Sequence, residues 1–342
     1  MMLWFLVVLL LETTIALKVA VVVGASRGIG RGIAVELGKA QYKVYCCGRS
    51  SKGGSLTVET TAQQVTDCGG LGIPVRLDAT KDEDLRAFAK RLEKEEIDLL
   101  AYAAYQTPTT DAETFRDPFW KQDKSMWDTC HGVGLKAAYL TLCAFAEQLI
   151  DSSDSKKRPL VVLVSSFGGI SYTFNLAYGV GKAALDRLAK DAAIELRAKV
   201  DVLSLYPGVV STENNIELNR KGKWQKASGG LDLDKAESPN FTGKAIVELL
   251  KRPDYCQKHS GTVQVVAELA NIFDFDDPLL QTRPPSIRSL RFLVPNFLLT
   301  DNKILEDVPS LLRGPVTFLR DNATPDYLLP WSVFASGPPP PK

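Results

Sequence analysis

Val19 to Val23 is an unbroken apolar run that leads directly into Gly24-Ala25-Ser26-Arg27-Gly28-Ile29-Gly30. Ile29, Ile33 and Leu37 then recur at i, i+4 and i+8. A short run that is apolar at every position reads as a strand buried on both faces. The stripe that follows reads as an amphipathic helix. A strand entering a helix through a glycine-rich turn leaves few folds open. Glycines let backbone come close to a ligand, and the helix N-terminus presents unpaired N–H groups and partial positive charge. Gly24, Gly28 and Gly30 therefore mark a pyrophosphate-binding turn, spaced G-x-x-x-G-x-G instead of the commoner G-x-G-x-x-G.

The rest of the chain repeats the strand–helix alternation. Strands are expected at Lys43–Cys47, Val75–Leu77, Ile97–Ala104, Leu160–Ser165, Val200–Tyr206 and Thr262–Val266. Helices are expected after Thr80 as cap, over 125–149 with Leu135, Tyr139, Leu142 and Leu149 inward, over 178–199, and from Ser238-Pro239 to about Arg252. Alternation of this kind gives an α/β fold: a doubly wound parallel sheet of about seven strands flanked by helices, with its ligand at the carboxyl ends of the strands. We divide the chain into an N-terminal apolar segment (1–16), the sheet domain (17–270) and a C-terminal extension (271–342). The extension is proline-rich, carries apolar clusters at Leu290–Val294 and Phe297–Leu299, and could close the active site, lie on a membrane or form a subunit interface.

Composition excludes several functions. With 41 basic and 40 acidic residues among 342, the formal charge is +1, which argues against nucleic-acid binding through bulk electrostatics. Two histidines, His131 and His259, rule out a His-rich metal site, and we expect no metal. Six cysteines without C-x-x-C spacing read as free thiols. Leu3 to Leu11 is too short to cross a bilayer, which needs about 20 apolar residues. Its length fits a signal-peptide core, although no Lys or Arg precedes it. The other reading is an extension that packs on the domain or lies on a membrane. The sequons at Asn240 and Asn322 add little at this Ser/Thr content.

The glycine turn also contains G-x-S-x-G centred on Ser26, the nucleophile-elbow pattern of α/β-hydrolases. Only one strand precedes it, and neither histidine stands in a triad context. At the end of the second strand, Cys46-Cys47-Gly48-Arg49 lacks the acidic residue that accepts from a free adenosine ribose. Arg49 and Arg27 offer guanidiniums for a 2′-phosphate instead. NADP(H) is accordingly preferred over NAD(H).

Tyr178-Gly179-Val180-Gly181-Lys182 places a phenol and an ammonium one helical turn apart on one face. A free tyrosine titrates near pH 10, and a neighbouring cation is expected to lower that value. The phenol can then exchange a proton with a carbonyl or hydroxyl oxygen while hydride moves at carbon. Ser165 and Ser166 end the preceding strand, where a hydroxyl could polarise the same oxygen.

The glycine turn, the serine-bearing strand end, Tyr178-x-x-x-Lys182 and Pro207-Gly208 with Thr212, in this order over about residues 17–267, resemble the short-chain dehydrogenase/reductase family, whose fold is Rossmann-like. Finer features resemble the family branch called dehydrogenase/reductase family member 1: Phe119-Trp120, Ser125-Met126-Trp127-Asp128, Val133-Gly134-Leu135 and Phe174-Asn175. The resemblance implies Tyr178 as acid–base, Lys182 as its modulator and a ribose ligand, and Ser166 (or Ser165) orienting substrate. It implies Ser26 and Ile29 in the pyrophosphate turn, Asp78 at adenine, and Pro207, Gly208 and Thr212 at the carboxamide. The branch further implies NADPH-dependent carbonyl reduction and the endoplasmic reticulum or secretory pathway.

Three positions depart from the family pattern. Val23 replaces a threonine. Tyr102-Ala103-Ala104 replaces Asn-Asn-Ala. Gly132 stands where the family's helix asparagine supports a water in the proton relay, with His131 beside it. These motivate an alternative reading, a cofactor-binding pseudoenzyme that acts as an interaction protein. The stretch 209–237, read as irregular, is a substrate lid in the family. Its Ile216, Leu218 and Trp224, with Phe115, Phe119 and Trp120, are expected to line an apolar pocket for a lipophilic carbonyl or alcohol, steroid-like or xenobiotic. The same aromatics could be core or an oligomer contact.

Overall fold

A computed structural model describes residues 17–50, 54–106, 115–154, 157–298 and 324–335. The N-terminal apolar segment, Asn322, Leu299 and the C-terminal proline run lie outside the described residues.

Seven strands form one sheet: β1 (Val19–Val23), β2 (Lys43–Gly48), β3 (Leu71–Arg76), β4 (Ile97–Tyr102), β5 (Leu160–Val164), β6 (Asp201–Tyr206) and β7 (Val263–Val265). Their order is β3-β2-β1-β4-β5-β6-β7 and every pairing is parallel. β1, β5 and β6 are buried at every position, as continuous apolar runs in a sheet covered on both faces must be. The order reverses between β1 and β4, so a crevice opens at their carboxyl ends.

Helices cover both faces. On one lie α1 (Gly28–Lys39), α2 (Val58–Asp67) and α9 (Pro239–Leu250), whose core includes Ile33, Leu37, Val65, Phe241 and Ile246. On the other lie α3 (Asp82–Arg91), a long broken helix and α6 (Leu176–Glu195), packed through Leu85, Phe88, Phe145, Leu149 and Leu185. Burying each such side chain contributes roughly 1.5–3 kcal/mol. Two helices predicted from neither pattern nor cap, α10 (Pro253–His259) and α11 (Val266–Phe273), flank the short β7.

The broken helix corrects the sequence reading. It runs as α4 (Ser125–His131), a π-turn (Gly132–Lys136) and α5 (Ala137–Asp151). A π-turn inserts one residue and rotates everything after it. Tyr139, expected inward, is 54% exposed, while Leu142 and Leu149 face the core as expected, with Ala138, Thr141 and Phe145. The turn begins at Gly132 and contains Gly134. Tyr102 donates to the Val133 carbonyl inside the turn, at 2.5 Å.

Smaller corrections have local causes. The helix expected to be capped by Thr80 starts at Asp82 with Lys81 as its uncapped boundary, because Asp78 takes both the Thr80 N–H and its hydroxyl. Ser238 precedes Pro239 as expected, but its hydroxyl donates to Asp277 instead of capping α9. The stretch read as irregular holds two short helices, α7 (Glu213–Arg220) and α8 (Trp224–Ser228). Thr212 caps α7 by accepting from the Asn215 N–H. The first sequon is engaged inside the fold: Asn240 donates to Glu36, and Thr242 is buried.

The C-terminal extension folds back on the domain. Ser289 bridges Leu328 in antiparallel fashion, the Leu290 N–H donates to the Tyr327 carbonyl, and the Leu329 N–H donates to the Arg288 carbonyl. Arg288 pairs with Glu268 of α11 and stacks over Trp331 at 4.2 Å.

Candidate active site

The glycine turn stands at the carboxyl end of β1. Gly24 has φ +92°, and a Cβ there would collide with the backbone of Ala104. A Cβ on Gly30 would collide with the Gly24 carbonyl. At both positions the turn is packed against backbone so closely that only glycine fits. Thr212, at the start of α7, lies against Gly28. The next residue, Glu213, accepts from the Gly28 N–H at 2.8 Å and pairs with Arg31 at 3.5 Å. Thus the helix N-terminus already attracts an anionic group, one that sequence reasoning missed because the partners are 185 residues apart.

Arg27, in the glycine turn, and Arg49, just past β2, are exposed. Arg27 donates to Ser50 and Arg49 to Gln106, at 3.4 and 3.3 Å. Long contacts of this kind leave both guanidiniums free to re-aim. Burial alone would push the Asp78 carboxyl up, but its two Thr80 hydrogen bonds and the charge of Arg49 hold it below the ordinary range. Tyr102 is buried in the sheet core, its hydroxyl committed to the π-turn.

The second half of the site lies past β5. Ser166 ends that strand and caps a 3₁₀ turn, Phe167–Gly169. The Tyr178 hydroxyl donates to Ser166 Oγ at 2.7 Å, whereas Ser165 is turned to the Lys182 carbonyl. This separates the two serines that sequence left open. Lys182 Nζ donates to the Val164 carbonyl at 3.1 Å and sits 5.2 Å from the Tyr105 ring centre and 5.8 Å from that of Tyr178.

Local structure fixes the tyrosine. Asn175 caps α6 by accepting from the Tyr178 N–H at 2.9 Å, and its amide donates to the Phe115 carbonyl. The residue before it, Phe174, has φ +63°, a conformation a bulky residue adopts only when its surroundings impose it. Tyr105, Phe115 and Phe174 ring Tyr178 at 5.8, 6.5 and 5.2 Å. The cap was legible as an Asn three residues before Tyr178; the ring of aromatics was not.

The electrostatics reverse the sequence expectation. Burial pushes the Tyr178 phenol up to about 12, against the opposing Ser166 hydrogen bond. Burial also pulls the Lys182 ammonium down to about 8, against the opposing carboxylate of Asp186. In this enclosure desolvation outweighs the attraction between cation and phenolate. His131 is turned away: its Nε2 contacts the Ala177 carbonyl at 3.0 Å, and its ring lies on Gly181 and meets Trp127 edge to face. The space beside Gly132 is open.

Around this centre the expected apolar lining is only partly present. Phe115 is at the site, and Trp224 is buried at the start of α8, where its indole donates to the Leu231 carbonyl. Phe119, Trp120 and Ile216 are exposed at 59%, 71% and 51%, because each sits on the outer face of a short helical turn. The C-terminal extension instead packs beside this centre. Phe334 packs on Phe167 at 5.0 Å and Trp331 on Tyr206 at 6.1 Å. Ile287 approaches Gly208, and Phe292 touches both this cluster and the cluster around Trp224.

Comparison with known proteins agrees with this arrangement. The short chain dehydrogenase family model matches residues 18–223. The mouse protein named Dehydrogenase/reductase SDR family member 1 is 37% identical over 268 residues, covering 76% of this chain and 83% of its own. A 3-oxoacyl-[acyl-carrier protein] reductase from Brucella melitensis, solved in complex with NAD, superposes with TM-score 0.62 at 20% identity, over 73% of this chain and 95% of its own. A Beutenbergia cavernae structure with NADP at low occupancy gives TM-score 0.59 at 25% identity, over 73% and 94%. The serine elbow reading fails, since Ser26 lies in the dinucleotide turn and both histidines bond backbone carbonyls elsewhere. The chain belongs to the short-chain dehydrogenase/reductase family.

Proposed function

We propose that the protein is an NADP(H)-dependent oxidoreductase that interconverts a lipophilic carbonyl and its alcohol. The observation that carries this is the 2.7 Å hydrogen bond between the Tyr178 and Ser166 hydroxyls, with Lys182 one turn further along α6. One small carbonyl oxygen can accept from both hydroxyls at once.

The chain's residues fit a phosphorylated dinucleotide. The closely packed glycines Gly24 and Gly30 support a dinucleotide turn, and the exposed Arg27 and Arg49, with no acidic residue at the end of β2, support a 2′-phosphate. When bound, the reduced nicotinamide supplies hydride to the carbonyl carbon. Tyr178 delivers the proton to the oxygen, and Ser166 orients that oxygen. With its pKa pushed to about 12, Tyr178 holds its proton at neutral pH, which suits the reductive direction. The apolar wall of Phe115, Phe167 and Phe334 supports a lipophilic substrate. The apolar run at residues 3–11 supports a location on endoplasmic-reticulum membranes or in the secretory pathway.

Full-length protein with NADPH and a panel of lipophilic ketones and aldehydes tests the reading by loss of 340 nm absorbance. Turnover that falls by about 10²–10⁴ in Tyr178→Phe supports it. The open space at Gly132 favours the second reading, a pseudoenzyme. Tight NADPH binding with no turnover on any carbonyl would establish that one instead.

A further inference from the structure

Tyr178, Lys182 and Asp186 recur every four residues on α6 and so share one face. Nothing in the proposed chemistry uses the third. Its carboxylate is nevertheless fully organised. Oδ1 accepts from Ser204 at 2.6 Å, and Oδ2 accepts from the Tyr206 hydroxyl, both on β6. The carboxylate also fills the place of a side chain at Gly169, in the turn that carries Ser166. One buried acid therefore touches the helix of Tyr178 and Lys182, the strand leading to Pro207-Gly208, and the serine turn. Trp331 of the C-terminal extension lies over Tyr206 and shields the network from outside.

We propose that Asp186 is a positioning residue: its buried carboxylate, held by Ser204 and Tyr206 and set one turn beyond Lys182 on the same face of α6, is the counter-charge to the Lys182 ammonium beside Tyr178. This rests on the carbonyl-reductase reading above. The groups that face Lys182 make the assignment specific. Tyr178 and Asp186 face it from α6, and the Val164 carbonyl, Ser165 and Ser166 from the end of β5. Cys130 faces it from α4, with His131 against the adjacent Gly181, and Tyr105 from the segment after β4. Asp186 supplies the carboxylate of this set. Burial opposes a charged lysine, and Asp186 opposes burial. Burial pushes the Asp186 carboxyl up as well, and the Ser204 and Tyr206 hydroxyls pull it back toward ionisation. Without the acid, Lys182 loses its proton at lower pH, and the reductive rate is lost with it.

The experiment is Asp186→Asn in the full chain with NADPH, read in two ways. Lysine-labelled protein gives the Lys182 titration by heteronuclear NMR, with its signal assigned through Lys182→Arg. The pH profile of kcat gives the basic limb of reduction. We expect the Lys182 titration, near 8 in the parent, to fall by about one pH unit. The basic limb of kcat should move with it, while KM changes less than about twofold. A purely structural role would lower kcat equally at every pH and leave both midpoints in place, and that result would overturn the proposal. If Asp186→Asn does not fold, Tyr206→Phe and Ser204→Ala each remove one donor that keeps the acid ionised. Both should shift Lys182 in the same direction by less, and an unmoved titration in both is equally fatal. The NMR titration needs no turnover. A shifted Lys182 in a protein that reduces no carbonyl would sink the reductase reading while leaving the Asp186–Lys182 coupling intact.

Discussion

The proposed cofactor half of the crevice and the proposed catalytic half are built from different materials. Around β1 and β2 the work is done by backbone shape and solvent-facing cations. Gly24 and Gly30 make room, and Arg27 and Arg49 are exposed and loosely bonded. Past β5 it is done by enclosed side chains. Tyr178, Lys182 and Asp186 are all displaced from their ordinary ionisation by burial. A shape-based site tolerates changes in charge and fails when atoms are added. A desolvated site tolerates little of either, because each charge leans on the next.

The largest effect that would test this contrast is Gly30→Ala. The added methyl meets the Gly24 carbonyl and has no flexible neighbour to displace. NADPH binding should be abolished, and thermal melting should fall by several degrees, consistent with roughly 2–3 kcal/mol of strain. Unchanged binding by fluorescence titration would show that the turn is not a cradle.

Charge removal in the same half should be milder. Arg27→Ala with Arg49→Ala should weaken NADPH by about 10- to 100-fold and NADH by less than about threefold, since each guanidinium–phosphate contact contributes of order 1–2 kcal/mol. Equal losses for both nucleotides would end the 2′-phosphate assignment.

In the catalytic half, Phe334→Ala removes the ring that backs Phe167. We expect KM for a bulky apolar ketone to rise about tenfold while KM for a small aldehyde and the Tyr178-dependent kcat stay within about twofold. Uniform changes across substrates would remove the C-terminal extension from the substrate wall.

The smallest effect sharpens the comparison from the other side. Glu213→Gln keeps the shape of the contact with Gly28 but removes a negative charge from a phosphate-binding helix N-terminus. NADPH should bind about two- to fivefold tighter at low salt, converging with the parent at high salt. Weaker binding would mean that the Arg31 pair, not repulsion, is the dominant role of Glu213.

Much of this site was legible because its pieces are local. The glycine turn, Tyr178 with Lys182 one turn on, and the serine strand end each fit within a few residues, and their order along the chain is their order around the crevice. The failures were non-local or rotational. Tyr139 was misplaced because it flanks the buried face of α5 that carries Ala138, Leu142, Phe145 and Leu149, whereas Leu142 and Leu149 point inward as read. Phe119 and Trp120 look like pocket residues in sequence and face solvent in the fold. Trp331 and Phe334 look like tail residues and stand at Tyr206 and Phe167.

What the sequence by itself determined is the sheet, its switch point, and the set of side chains delivered to it. Periodicity and glycine chemistry are properties of neighbouring residues, and a parallel sheet follows from them. Only the tertiary structure decided how those side chains behave. The Lys182 ammonium was expected to draw the Tyr178 phenol down. Instead both are governed by how much water the fold removes, with Asp186 as the counterweight. Desolvation is summed over every element that packs around a group, so it has no signature in the residues beside it.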